Sequence, residues 1–237
     1  DGTDSGNLLD GTTEECLPTL NFGSRVAENF KTHDEMFPNV PKMCMEMWNG
    51  WFDTWGDEKH HTRSAEDYAN AIDDMLFYGS VNMYMFIGGT NFGFFNGALH
   101  TDRYMPIVTS YDYDALLTEC GDITEKYLAI RDVIAKHAKK TLPPVPKNRK
   151  KEAYGKVSAT ASAELFENLE NLSAAIYSEA PECMEDYGCG YGYIVYQTVL
   201  NRDYCNSAIS FEDFGDRAQI FINDERKGTI YVNFTPY

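Results

Sequence analysis

Residues 42–56 read KMCMEMWNGWFDTWG. The first half, MCMEMW (43–48), is apolar except for Glu46 and has the length of one β-strand. The second half brings in Trp51, Phe52 and Trp55 at once. A carboxylate taken from water without a partner is costly, so such a group is paired, protonated or used. Glu46 stands near the C-terminal end of its strand, with Trp48, Trp51 and Trp55 following. Aromatic faces cover the apolar face of a pyranose, and polar side chains hold its hydroxyls. The stretch therefore points to a sugar site built on a carboxylate. A structural pairing of Glu46 with an Arg or Tyr is the alternative.

On either side the chain alternates between strand-like and helix-like patterns. CLPTLNF (16–22) is a short apolar run, and SRVAENFKTHDEMF (24–37) places Val26, Ala27, Phe30 and Phe37 on one helical face. SAEDYANAIDDMLFYG (64–79) is the clearest helix. Ser64 caps it, with Asp67 approximating a capping box, and Tyr68, Ala71, Ile72, Met75 and Leu76 form its buried stripe. VNMYMFI (81–87) follows as a strand. DITEKYLAIRDVIAKHAKK (122–140) reads as a helix with an Asp122/Glu125 box and a stripe of Tyr127, Ile130, Ile134 and Ala138. Three β-α steps predict an α/β fold with parallel strands and covering helices. The links after the second and third strands, 49–63 and 88–121, are long and rich in aromatic residues, Asn and Asp. In (β/α)8 barrels the loops after the strands form the catalytic face. A doubly wound sheet is the other architecture, but no G-x-G-x-x-G follows a strand, and GGTNFG (88–93) lacks the Lys of a phosphate loop.

The texture changes after TLPPVPKNRKK (141–151). Residues 165–176 suggest a short helix. YGYIVYQTVL (191–200), RAQIFIN (217–223) and GTIYVNF (228–234) read as strands, with Asn223-Asp224 as a hairpin turn. The expected organisation is an α/β part at 1–140, a linker at 141–152 and an incomplete all-β domain at 153–237.

Hydrophobic residues are 43% of the 237, enough for a core. The formal charge of −17 disfavours nucleic acid as a partner. KNRKK (147–151) reads as a solvated run. No apolar stretch approaches the roughly 20 residues of a membrane span. The polar start shows no signal peptide. It does not settle the compartment, with the cytoplasm preferred. Six cysteines form no C-x-x-C pair and are read as free buried thiols rather than a Cys183–Cys189 bridge. His60 and His61 are adjacent, so they are expected to point apart in a solvent-facing loop. No metal site and no cofactor is expected.

Three ordered blocks, MCMEMWNGWFDTWG, VNMYMFIGGTNFGF and VTSYDYDALLTECGDITEKYLAIRDVI, together resemble the retaining β-galactosidases of glycoside hydrolase family 35. MEDYGCGYGYIVYQTVL with DRAQIFINDERKGTIY resembles the start of the β-sandwich region that follows the family's barrel. The resemblance implies a partial (β/α)8 TIM barrel, its strands at 17–22, 43–48 and 81–87 being the sixth, seventh and eighth. It places Glu46 on the catalytic nucleophile, and Trp51 and Tyr113 on residues lining the galactose pocket. Asn91 and Asn96 fall near that pocket, and Asn91 has loop support as its alternative role. A β-galactoside is the implied substrate. Thr54, Leu116 and Cys120 depart from the family's usual His, Pro and small residue.

Retaining hydrolysis needs two carboxyl groups roughly 5–5.5 Å apart. The family's acid/base is a Glu in an Asn-Glu pair ending the fourth strand, and no Asn-Glu pair precedes Glu46. A full barrel takes about 250 residues. The resemblance therefore implies a barrel that begins upstream of residue 1, whose missing segment is required to complete the site. Two other expectations remain: a non-catalytic remnant or sugar-binding module, and a β-hexosidase of other sugar specificity.

Overall fold

The computed structural model describes residues 2–101, 103–211 and 214–231. They divide into two compact units. One runs to Arg149 and resumes at Asp213. The other is Lys150–Glu212.

The first unit opens with helix α1 (Ser5–Asp10), capped by Asp4, whose Oδ1 accepts from Asn7 N at 3.0 Å. Strands β1 (Leu20–Phe22), β2 (Met43–Trp48) and β3 (Ser80–Tyr84) form a parallel sheet in the order β1-β2-β3. Helix α2 (Val26–Met36) connects the first pair, and α3 (Ala65–Tyr78) the second. Helix α4 (Glu125–His137) follows the loop after β3 and packs on α3. This is a mixed α/β arrangement with no closed barrel among the described residues. Among the described residues no helix is long and apolar enough to cross a membrane.

Local signals explain much of this. Ser64 Oγ accepts from Asp67 N at 3.1 Å, as its position predicts. Asp67 does not complete the box; its carboxylate takes Arg63 Nε at 2.5 Å instead. The α3 stripe is correct, with Tyr68, Ala71, Ile72 and Met75 buried and Leu76 packed against them. Leu20, Phe22, Phe30, Cys44 and Met47 complete the core from the sheet and α2.

Several expectations fail at the edges. On α2 Ala27 is exposed and His33 is buried in its place. Helix α4 is capped by Thr124, not Asp122. Thr124 Oγ1 accepts from Tyr127 N at 3.2 Å, while Asp122 N is drawn into a turn by Thr118 Oγ1. Its buried face is Lys126, Ile130 and Val133, with Tyr127 and Ile134 at the margin. The 88–121 link is not structureless. It contains an antiparallel pair, β4 (Ala98–His100) and β5 (Tyr104–Pro106).

A second hairpin, β6 (Arg217–Ile222) and β7 (Glu225–Tyr231), turns at Asn223-Asp224 with φ of 50° and 64°. Two successive left-handed residues make the turn that suits strand twist. Residues 232–234 of the expected strand lie outside the described residues. The Lys150–Glu212 unit holds a single helical turn at Phe166–Asn168 leading into α5 (Leu169–Leu172), and another at Met184–Tyr187. The strand expected at 191–200 does not form. β-propensity expresses itself only when a neighbouring strand supplies hydrogen bonds and a face to pack on, and 191–200 pairs with no described backbone. Among the described residues of 153–237 the strands are β6 and β7.

Candidate active site

Glu46 lies on β2, the central strand of the parallel sheet, near its C-terminal end. The pairing of β2 with β3 slips between Cys44 and Met47. That irregularity lets both Cys44 and Met47 turn into the core, with their sulfurs 3.8 Å apart. Glu46 and Trp48 then share the opposite face. Trp48 Nε1 donates to Glu46 Oε2 at 3.1 Å. From behind, buried Tyr68 on α3 donates its hydroxyl to Met47 O at 2.9 Å, fixing this end of the strand. Glu46 is half-buried, and among the described residues it has no ion pair. The structural alternative of an Arg or Tyr partner is not what holds it.

An aromatic cluster rises beside it. Trp51 stacks on Phe52 with ring centroids 4.8 Å apart and meets Trp48 edge-on at 6.1 Å. Tyr113 is buried and lies 6.1 Å from Trp51 and 5.4 Å from both Tyr84 and Tyr111. The Tyr84 and Tyr111 hydroxyls are 3.3 Å apart. Burial first, then the neighbouring phenols and the Glu46 charge, push the Tyr111 and Tyr113 hydroxyls above the ordinary tyrosine value. Both therefore stay protonated at neutral pH.

Tyr113 and Asp114 have φ of 62° and 52°, unusual for residues other than glycine. Tertiary contacts hold them there. The backbone at Gly50 passes so close that a Cβ would sit 1.9 Å from Tyr113 O, and one on Gly88 would sit 1.6 Å from Tyr111 O. Buried Lys126 donates to Asn49 O at 2.8 Å and to Asp114 O and Oδ2, both at 2.6 Å. Desolvation pulls its ammonium below the ordinary lysine value, opposed by the Asp114 carboxylate. Asp114 Oδ2 also accepts from Arg63 N at 2.6 Å, and Arg63 Nη1 reaches Gly23 O and Trp48 O. Buried Asn49 gives Nδ2 to Met85 O at 2.6 Å and accepts from Met85 N at 3.2 Å. The ends of β1, β2 and β3 and the 111–114 turn are thus tied into one support.

Glu46, Trp51 and Tyr113 are linked through Trp48 and direct ring contact. Asn91 and Asn96 do not join them by any hydrogen bond among the described residues. Asn91 N donates to Thr109 O at 2.8 Å, and the Asn96 side chain donates to Ile107 O. Trp55 is 71% exposed and stands apart from the cluster. Sequence reasoning missed Trp48 as the partner of Glu46, Tyr84 and Tyr111 as walls, and Asn49, Arg63, Asp114 and Lys126 as supports. The i, i+2 spacing of Glu46 and Trp48 on a strand was the available signal for the first.

His60 and His61 do not point apart. Both Nδ1 atoms reach Asp53, at 2.5 Å and 2.9 Å, because the 57–61 segment wraps around that carboxylate. Asp53, Asp57 and His61 bring three ligand-type atoms within 4.8 Å of one another. These atoms already bond each other and Thr54 N, and no metal is assigned to them. All six cysteines are free, and only Cys44 is buried. A concavity of about 620 Å³ flanks the end of α4 at Arg131, Lys139 and Thr141, and one of about 120 Å³ borders α1 at Asn7 and Leu8.

Comparison with known proteins identifies the family. The chain matches the family model described as glycosyl hydrolases family 35 over residues 2–137, more than half its length, and it belongs to that family. It is 36% identical to beta-galactosidase-1-like protein 3 of Mus musculus over 237 residues, covering 97% of this chain and 36% of that one. It is 38% identical to beta-galactosidase 1 of Dictyostelium discoideum, covering 95% and 36%, and 37% identical to beta-galactosidase of Bos taurus, covering 99% and 38%. The chain thus spans little more than a third of the length of these relatives.

Proposed function

We propose that the chain carries the nucleophile half of a retaining β-galactosidase site. Residues 1–140 then supply the last three β-α units of a (β/α)8 barrel, 141–152 a linker, and 153–237 the start of a β-sandwich region. Strands β1, β2 and β3 take the places of the sixth, seventh and eighth barrel strands. The observation that carries the reading is Glu46 near the C-terminal end of the central parallel strand, oriented by Trp48 and walled by Trp51 and Tyr113. In α/β barrels that end of a strand is where catalytic groups stand.

The geometry suits the chemistry. Trp48 holds Oε2 and leaves Oε1 to attack the anomeric carbon of a terminal β-D-galactosyl unit. The C–O bond to the aglycone breaks as that oxygen takes a proton from a second carboxyl. Water, activated by the same group, then cleaves the glycosyl ester on Glu46. Tyr113 walls the site beside Glu46, and Trp51 covers the apolar sugar face. Asn91 and Asn96 act nearby by shaping the loop after β3. No Asn-Glu pair precedes Glu46, so the acid/base comes from outside these residues, and this chain alone does not hydrolyse galactosides. The substrate is the partner; no metal or organic cofactor takes part.

The test is covalent trapping. A complete enzyme containing this segment is treated with a 2-fluoro-galactosyl inactivator, digested and mapped by mass spectrometry. The label is expected on Glu46. A label on any other residue overturns the assignment.

A further inference from the structure

The 49–63 loop and the 111–114 turn carry the two aromatic walls, Trp51 and Tyr113. One side chain spans them. His60 Nδ1 lies 2.5 Å from Asp53 Oδ2, and His60 Nε2 lies 3.3 Å from Asp112 Oδ2. Asp53 is two residues from Trp51, and Asp112 is next to Tyr113. A carboxylate accepts hydrogen bonds and cannot donate one, and a neutral imidazole has a single N–H. Only the imidazolium can donate to Asp53 and at the same time attract Asp112 as an ion pair.

We propose that His60 is a positioning residue, an imidazolium clamp that sets the spacing of the two aromatic walls and releases one of them when it loses its proton.

The surroundings favour the charged form. Asp53 and Asp112 contact the ring, and Asp114 lies beside them, while partial burial acts in the opposite direction. The net result is a His60 value above the ordinary 6.5, with the Asp53 hydrogen bond as the largest cause. Asp53 itself is held below the usual carboxylate range by hydrogen bonds from His61 and His60, against its burial. The other charged groups facing this network are His61 and Asp57, 3.9 Å apart, and Arg103, 4.0 Å from Asp57. Backbone bonds from Val108 N to Asp53 O and from Trp55 N to Pro106 O join the same loops farther out and do not titrate. The clamp therefore adjusts the walls rather than opening the loops.

The sign follows from the raised value. The clamp is complete below pH 6.5 and is lost as pH rises through the folded value of His60. Above it the ring keeps one carboxylate and leaves the other facing Asp114 and Asp57. The effect on galactoside binding rests on the reading of Glu46 as nucleophile; the clamp does not.

Histidine side chains of the 237-residue chain are titrated by ¹⁵N NMR, with tryptophan emission followed over the same range. His60 is expected to titrate above 6.5, to fall toward 6.5 in Asp112→Asn, and to coincide with a step in emission that His60→Gln abolishes and His61→Gln retains. A His60 value at or below 6.5, or one unmoved by Asp112→Asn, overturns the clamp. As a second measurement, the alkaline limb of the kcat/KM profile of the complete enzyme, to which the acid/base carboxyl also contributes, is expected to shift in His60→Gln while the acid limb stays. An unchanged profile in His60→Gln also overturns the positioning role. Raised His60 titration in a complete enzyme without galactosidase activity defeats the reading of Glu46 and leaves the clamp standing.

Discussion

Replacing Lys126 by Met removes the one cation that bonds both Asn49 O and Asp114, while keeping most of the side chain's apolar length. The Lys126 side chain is 5% exposed and that of Asp114 25%. Breaking a buried ion pair from one side costs about 3–5 kcal/mol, because the remaining charge and acceptors lose their partner. Asp114 keeps the Arg63 N–H and some water, which places the loss near the lower end, about 3 kcal/mol. In a domain of this size that lowers the melting temperature by about 6–12 °C. Lys136→Met on the same helix is the control. Its side chain is 65% exposed, and its partner Asp73 is also held by His137, so the loss stays below about 0.5 kcal/mol. Urea unfolding followed by tryptophan emission reads both variants, since all three tryptophans lie within residues 48–55. Asp114→Asn combined with Lys126→Met should cost at least about 1 kcal/mol less than the sum of the two. Equal losses in Lys126→Met and Lys136→Met would refute the view that this lysine ties the strand ends to the 111–114 turn.

Two further outcomes follow from close contacts and burial. Gly50→Ala places a Cβ 1.9 Å from Tyr113 O, so the turn must retreat by about 1 Å to reach a tolerated contact. A displacement of that size lowers kcat/KM of the complete enzyme on the order of 100-fold. Gly190→Ala, with open space around it, should leave kcat/KM unchanged, and equal activity in the two variants counts against the role given to Gly50. Burial raises the Cys44 thiol to about 11, against an ordinary value of 9.0, which leaves little thiolate at pH 8. A disulfide reagent should modify exposed Cys16, Cys120, Cys183 and Cys205 in the native chain and reach Cys44 only on unfolding. Peptide mapping showing Cys44 modified as fast as Cys16 would contradict its burial.

Features that depend on a few neighbouring residues were legible in the sequence. Ser64 caps α3 because its oxygen reaches the N–H three residues on, whatever the rest of the chain does. The α3 stripe and the Asn223-Asp224 turn have the same local origin. Near ties between local signals were misread. Asp122 and Thr124 both suit an N-cap, and the turn built by Thr118 decided for Thr124. Strand-forming composition at 191–200 joins no sheet among the described residues, so it left no strand there.

The sequence by itself determined the alternation of strands and helices, the position of Glu46 near a strand end, and the family whose motifs surround it. These rest on periodicity, caps and ordered motifs, all written within short windows. Only the tertiary structure decided what stands beside Glu46. Strand alternation puts Trp48 on the face of Glu46, but the closing of its Nε1 onto the carboxylate, and the register slip that turns both Cys44 and Met47 into the core, belong to the folded sheet. Tyr84, Tyr111 and Tyr113 converge because Gly50 and Gly88 admit the turn and Lys126 ties it to Asn49, 77 residues from that lysine in sequence. His60 meets Asp112 by the same folding of distant loops. Contacts between groups far apart in sequence follow from packing and register, and no short window of residues encodes either.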